Sequence, residues 1–582
     1  MTLAIRGGTV VDGTGADAVL ADVVIDGDRI VAVGPDAASS ADADTVIDAS
    51  GLMVAPGFID LHTHYDAQLF WDPNASPSPL HGVTTVMGGN CGFSLAPAGP
   101  EHVDYLARMM ARVEGMPLAA LREGLSWDWS TFGEWLGFLE GRIAVNAGFL
   151  VGHSTLRRLV MGDRAVGQEA TEADVAAMVE ALHAAITEGA LGFSTSQVHT
   201  HNDGDGSPVP SRAASREEIE TLAAAVCSHE GTTIEMIVPG CLNGFSEEEI
   251  NFLAHISLLA DRPVNWNVLG VSAMNPDGVW SQLNASTMAA EQAATVVALT
   301  LPHTMQLRLS FEHGAILDGL PGWRETFALP VSERIGALAD PAVRKRLNDG
   351  AHSPEAGILG HLAVWERLIF EETFAPENKG LEGRSVGELA RERGIDPFDA
   401  LLDVVVADAL RTGLRPPIPE SEADWSLRAE TWKDPRAIVG GSDAGAHLDT
   451  MCGAVYSTSM LGDGVRQRGL LSWEEAIRQL TDIPARLYGV RDRGRLTSGS
   501  FADVVVFDPE RIGPGVVRTR DDLPGGASRL YAEAIGVEHV LVNGTAIVHG
   551  AEFTGATPGQ ILRSGRDTQT VHAGSNWLAA AR

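Results

Sequence analysis

Between residues 57 and 441, eight short apolar, β-branched runs alternate with stretches of helical periodicity. The runs fall near 57–61, 82–87, 145–151, 189–194, 232–238, 263–269, 306–312 and 436–441. Strand–helix repetition of this kind builds a parallel sheet, because a crossover helix is what returns the chain to start the next parallel strand. Eight such units fit an α/β (β/α)8 TIM-like barrel, whose functional side chains gather at the C-terminal ends of the strands. The clearest amphipathic segments are 172–188, 216–229 and 473–480, with Thr171 placed to cap the first and Gly189 just past its end. The seventh and eighth runs are separated by about 120 residues, far beyond an ordinary loop. That gap predicts a large, mostly helical insertion before the last barrel strand, a subdomain or lid over 314–435.

Outside this region the pattern changes. Residues 1–55 hold short β-branched runs broken by Gly and Asp, and the last ninety or so residues repeat that character, with Asn543-Gly544 as a turn. The expected organisation is a small β-sandwich domain made by both chain ends, 1–55 and 490–582, bracketing a barrel over 56–489.

Within the first run, Pro56-Gly57-Phe58-Ile59-Asp60-Leu61-His62-Thr63-His64 ends in two histidines spaced by one residue. Side chains at i and i+2 of a strand share a face, so His62 and His64 converge on one point, as two ligands of a metal ion must. The second run leads into Gly88-Gly89-Asn90-Cys91-Gly92. Neighbouring barrel strands would set Cys91, a strong zinc ligand as a thiolate, beside the histidines. The last run leads into Gly441-Ser442-Asp443. A carboxylate there can ligate the same ion, or take a proton from an attacking water and pass it to a leaving nitrogen.

These motifs, with Gly82-Val83-Thr84-Thr85-Val86 and the closing 494–503 segment, resemble the N-acyl-D-amino-acid deacylase (D-aminoacylase) branch of the amidohydrolase superfamily. The resemblance spans nearly the whole chain. It implies a zinc-dependent hydrolase of the amide bond of an N-acyl, D-configured amino acid or a similar small amide. It also brings two metal-binding histidines from the fifth and sixth strands, and here this chain departs. Its fifth run reads Thr232-Thr233-Ile234-Glu235-Met236-Ile237 and its sixth Val264-Asn265-Trp266-Asn267-Val268, with no histidine in either. Glu235 is a substitute ligand or a hydrogen-bonded structural acid. Asn265 and Asn267 share one face and are candidates for substrate contact. With two imidazoles missing, one zinc ion is expected rather than two.

Further candidates for substrate contact are His199 and His201 after the fourth run, Arg212, whose guanidinium could hold a carboxylate, and His313 at the end of the seventh. Two other readings compete: hydrolysis of a cyclic amide or lactam, and a catalytically silent barrel with an assembly role. The formal charge of −35, from 42 basic and 77 acidic residues, argues against nucleic acid or an anionic membrane as partner. It leaves a small-molecule substrate and a homo-oligomer open. The N-terminal segment lacks the basic-then-apolar pattern of a signal peptide, and the cysteines at 91, 227, 241 and 452 are too scattered for a disulfide framework. Both features predict a cytoplasmic protein.

Overall fold

The computed structural model describes residues 2–40, 43–312, 314, 317–417 and 420–578. Its centre is a set of parallel strands: β1 (Phe58–Asp60), β2 (Val83–Gly88), β3 (Asn146–Phe149), β4 (Val151–Gly152), β5 (Gly192–Ser196), β6 (Thr233–Ile237), β7 (Val264–Leu269), β8 (Val296–Thr300) and β9 (Ala437–Val439). β1, β2 and β3 form one parallel sheet. A second runs in the order β9-β8-β7-β6-β5-β4, parallel throughout. Only Leu150 separates β3 from β4, and its amide donates to the Gly88 carbonyl at 2.9 Å. At the opposite margin the segments following β1 and β9 meet: the Asp443 amide donates to the His62 carbonyl (3.1 Å) and the His64 amide to the Ala444 carbonyl (2.8 Å). The fold is mixed α/β, and these strands read as near-continuous apolar runs because both faces are covered. All six residues of β2 are buried.

The helices start where the sequence places them. Thr171 caps Glu172–Thr187, accepting from the Asp174 amide while the Asp174 carboxylate accepts from the Thr171 amide. Ser215 and Ser472 cap Arg216–Val226 and Trp473–Leu480 in the same way, through one side-chain oxygen each. Such caps satisfy amides that the first helical turn leaves without partners.

Both chain ends enter one nine-stranded sheet, with Thr2–Val10, Val19–Asp26, Arg29–Gly34, Thr45–Asp48 and Met53–Pro56 from the start of the chain. Val504–Phe507, Val537–Val542, Thr545–His549 and Glu552–Phe553 complete it. Met53–Pro56 pairs antiparallel with Val504–Phe507, so the two ends are stitched together just where the chain enters β1. Ile5, Val23, Ile25, Val504, Val506 and Leu541 form part of this sheet's own apolar cluster.

The seventh strand differs from expectation. Residues 306–312 form no strand of the parallel set; Leu309 makes only an isolated antiparallel bridge to Leu414, and the strand is Val296–Thr300. From there the chain leaves on a long excursion before β9. The excursion carries Val331–Ala339, Pro341–Ala351, Val386–Arg393 and Pro397–Ala407 as helices, and Ile369–Glu372 paired with Gly413–Arg415. Leu309, Phe311, Trp323, Trp365, Phe398 and Leu414 pack in an apolar cluster separate from the central one. Helix Glu422–Trp432 instead turns Trp425 and Trp432 into the central cluster. No helix among the described residues is long and apolar enough to cross a membrane.

Candidate metal centre

His62 and His64 follow β1, buried, with ring centroids 5.3 Å apart. Cys91 follows β2 and brings Sγ to 3.4 Å from His62 Nε2. A ring nitrogen of His62, a ring nitrogen of His64 and Cys91 Sγ lie within 4.8 Å of one another, a spacing that one ion's ligands can occupy. Asp443 follows β9 and sets Oδ1 3.1 Å from His64 Nε2 and 3.7 Å from His62 Nε2. The two backbone hydrogen bonds between the segments after β1 and β9 hold it there, and the Ser442 hydroxyl donates to the buried carboxylate of Asp60.

Cys91 and Asp443 both adopt positive φ, +54° and +61°. A non-glycine residue in that region is uncommon and is held only by its surroundings. Gly89 (φ +73°) makes the turn before Cys91 feasible: a Cβ there would lie 2.1 Å from the Leu150 carbonyl oxygen. The sharp turns leave both side chains within reach of the histidines that follow β1.

One participant escaped the sequence reading. Glu114, immediately after α1 (Val103–Val113), is 2% exposed and places Oε2 3.4 Å from His64 Nε2. With His64 and Asp443 it makes a second group of donors at ligand spacing. It carries no local signature, because a glutamate ending an amphipathic helix reads as a solvated residue.

The remaining candidates divide. Asn267 on β7 lies in the centre, its Nδ2 3.2 Å from His62 Nε2 and 3.9 Å from Cys91 Sγ. Glu235 on β6 is fully buried, and its Oε2 accepts from the Cys91 amide at 2.8 Å, bracing the turn that presents the thiol. Asn265 is tied into the strand layer by donating to the Ile234 carbonyl at 3.0 Å. His201 borders a cleft of about 730 Å³ shared with Met116, Met305 and His447, and its Nδ1 lies 2.8 Å from Ser196 Oγ. His199 is exposed, and Arg212 is spent on the His201 carbonyl (3.1 Å) and Asn202 Oδ1 (2.8 Å). His313 lies outside the described residues. His447 Nε2 stands 3.6 Å from Asp443 Oδ2.

The electrostatics reflect crowded buried carboxylates. Burial raises Glu235 to about 8 against the Cys91 amide that stabilises its anion. It raises Asp60 to about 7 and Asp66 to about 6. His62, buried beside His64, falls to about 3. His64 goes the other way: burial opposes its charge, but Glu114 and Asp443 outweigh that and lift it to about 10. Burial would raise Asp443 too, yet its contact with His64 and the nearby histidines hold it below the usual carboxylate range. The Cys91 thiol is pushed up by burial and by Glu235 and Glu114.

This arrangement fits a divalent cation. Concentrated buried negative charge is costly unless a positive charge answers it. His64 Nε2 sits close to two carboxylates yet makes no aligned hydrogen bond, and a cation at their common centre would replace the proton that the carboxylates otherwise favour on it. Imidazole, thiolate and carboxylate together are a zinc-type donor set.

A family model described as Amidohydrolase family matches residues 45–548. This chain belongs to the amidohydrolase family. An N-acyl-D-glutamate deacylase from Alcaligenes xylosoxydans xylosoxydans is 31% identical over 97% of this chain and 96% of its own length. A D-aminoacylase structure, solved to define the role of a binuclear metal centre with one-metal activation and second-metal attenuation, shares 28% identity. It covers 96% of this chain and 99% of its own at a TM-score of 0.61. The N-acyl-D-glutamate deacylase of Bordetella bronchiseptica, complexed with zinc and a phosphonate inhibitor, has the same fold. It has a TM-score of 0.64 and 24% identity, over 97% of this chain and 99% of its own.

Proposed function

We propose that this amidohydrolase cleaves the amide bond of an N-acyl amino acid of D configuration, using one zinc ion. The observation that carries this reading is the convergence of His62, His64, Cys91 and Asp443 from three separate strand ends beside an open cleft. The deacylase relatives support the substrate class. A silent barrel would have no use for donors converging on one point, two of them on left-handed backbone, and three relatives aligned over nearly full length are a D-aminoacylase and two N-acyl-D-amino-acid deacylases.

His62, His64 and Cys91 would hold the ion, which supplies polarisation of the amide carbonyl and a nucleophilic water near neutral pH. Asp443 stays ionised and so can accept a proton; as the amide nitrogen departs it can hand that proton on. His447 steadies the second oxygen of Asp443, and Glu235 and Asp60 fix the turns that carry Cys91 and Asp443. His201, neutral because it is buried, offers a hydrogen bond at the cleft wall. Asn267 takes the place of an imidazole beside His62.

The architecture we infer is a closed (β/α)8 barrel over 56–489, with β3 and β4 acting as one interrupted strand and the β1–β9 margin closing the ring. The terminal sheet, folded over its own cluster, would form a β-sandwich from 1–55 and 490–582, and 314–435 a lid bordering the cleft. Free cysteines agree with a cytoplasmic setting; the partner we infer is a small-molecule amide, and a homo-oligomer is compatible with it. The decisive experiment replaces His62 and His64 together by Asn. Bound metal and hydrolysis of N-acyl-D-amino acids should both vanish while circular dichroism stays unchanged; full metal occupancy in the variant overturns the reading.

A further inference from the structure

The donors in the centre outnumber what one catalytic ion uses. A catalytic zinc typically takes three protein ligands and leaves a position open. Here Cys91, His62, Asp443, His64 and Glu114 form a continuous chain of neighbours. The successive separations are 3.4 Å (Cys91–His62), 3.7 Å (His62–Asp443), 3.1 Å (Asp443–His64) and 3.4 Å (His64–Glu114). With metal–nitrogen or metal–oxygen bonds of about 2.0–2.2 Å, neighbouring ligands of a tetrahedral ion stand roughly 3.4 Å apart. The links from His62 to Glu114 lie between 3.1 and 3.7 Å, around that length, and the one to Glu114 is 3.4 Å.

Glu114 has no competing use for the oxygen that faces the site. It is nearly inaccessible, Oε2 points at His64 Nε2, and no arginine or lysine pairs with it among the described residues. Its backbone carbonyl accepts from the His447 amide, which fixes the end of α1 against the loop carrying Asp443. The residue therefore reaches the centre from the end of α1 and not from a strand of the parallel set.

We propose that Glu114 is a metal ligand. It adds a carboxylate-rich donor group, His64, Glu114 and Asp443, to the thiolate-bearing group of His62, His64 and Cys91, the two sharing His64. The proposal rests on the metal-centre reading above and adds a donor to it. Carboxylate donors suit harder divalent ions, so this donor set would also admit Co2+, and Mn2+ more weakly.

The test uses the full-length protein loaded with Co2+, whose visible d–d bands report the donor set and whose sulfur-to-metal charge-transfer band reports Cys91. Glu114→Gln should weaken Co2+ affinity by about tenfold or more and alter the d–d bands while leaving the charge-transfer band in place. Glu114→His, which restores a donor, should bind Co2+ more tightly than the Gln variant. A glutamate that only buttressed His64 could cost comparable affinity, but the d–d bands would survive; that result overturns the proposal, as would equal affinity in wild type and both variants. If Glu114→Gln fails to fold, a Glu114→His protein with unchanged d–d bands overturns it alone. Absence of a charge-transfer band in the wild type would instead remove the thiolate, and with it the metal-centre reading itself.

Discussion

Replacing Asp443 by Asn separates its two available roles. Asparagine keeps an oxygen where Oδ1 stands, 3.1 Å from His64 and 3.7 Å from His62, so the local packing and the left-handed backbone, which Asn tolerates well, are preserved. What disappears is the capacity to take a proton. His62, His64 and Cys91 remain at ligand spacing, so metal content should stay near that of the wild type. Loss of a general base costs on the order of a hundredfold in kcat, which at 1.36 kcal/mol per tenfold is about 2.7 kcal/mol of transition-state stabilisation. The loss should fall on kcat with little change in KM, because the carboxylate acts on the proton in flight and not on the resting substrate. Steady-state hydrolysis of N-acetyl-D-amino acids, paired with elemental analysis of the same samples, reads both quantities. Turnover within a few-fold of the wild type would refute the proton shuttle, and loss of the ion would make Asp443 a structural ligand.

Two other residues give expectations away from the chemistry. His81, fully buried between Thr458 Oγ1 (2.6 Å) and the Ala532 carbonyl (3.1 Å), is lowered by burial from 6.5 to about 4. The unfolded chain therefore takes up a proton that the fold refuses, and the stability His81 contributes is present above pH 6.5 and lost as pH falls towards 4, by about 3 kcal/mol. His81→Gln should be less stable than the wild type at pH 8, with the gap narrowing by roughly 3 °C in Tm by pH 4 for a chain of this length; a gap independent of pH would contradict this. Gly89→Ala drives a Cβ to 2.1 Å from the Leu150 carbonyl oxygen at a φ of +73°, so the turn before Cys91 must shift. Soluble protein with reduced metal content and a lower melting temperature is expected, and wild-type values for both would count against the role given to this turn.

Most of the candidate centre was legible because the side chains the structure brings together sit in short-range patterns: His62 and His64 are spaced by one residue just past a strand, and Cys91 and Asp443 follow strands closely. Glu114 was not legible, since its burial is created by a loop from the other end of the chain, near His447. Neither was the part played by Asp60, which depends on Ser442 arriving beside it. The parallel strands were visible as β-branched runs, with one exception. Val296–Thr300 follows a helix so closely that its apolar residues read as the helix's continuation, whereas Gln306 to Glu312 alternates polar and apolar as a half-buried strand does. The structure uses that alternation at the edge of the excursion, where Leu309 meets Leu414 and faces a separate apolar cluster.

That separate cluster has an evolutionary consequence. Substitutions among Trp323, Trp365, Phe398 and their neighbours are absorbed within the excursion, because the side chains that pack the strands belong to a different set. A lineage can therefore rewrite the segment near the cleft mouth, where Asp318 and Leu359 already line the wall, without disturbing the donors at the strand ends. The wall of the cleft and the residues gathered at the strand ends are then free to drift at different rates within one gene.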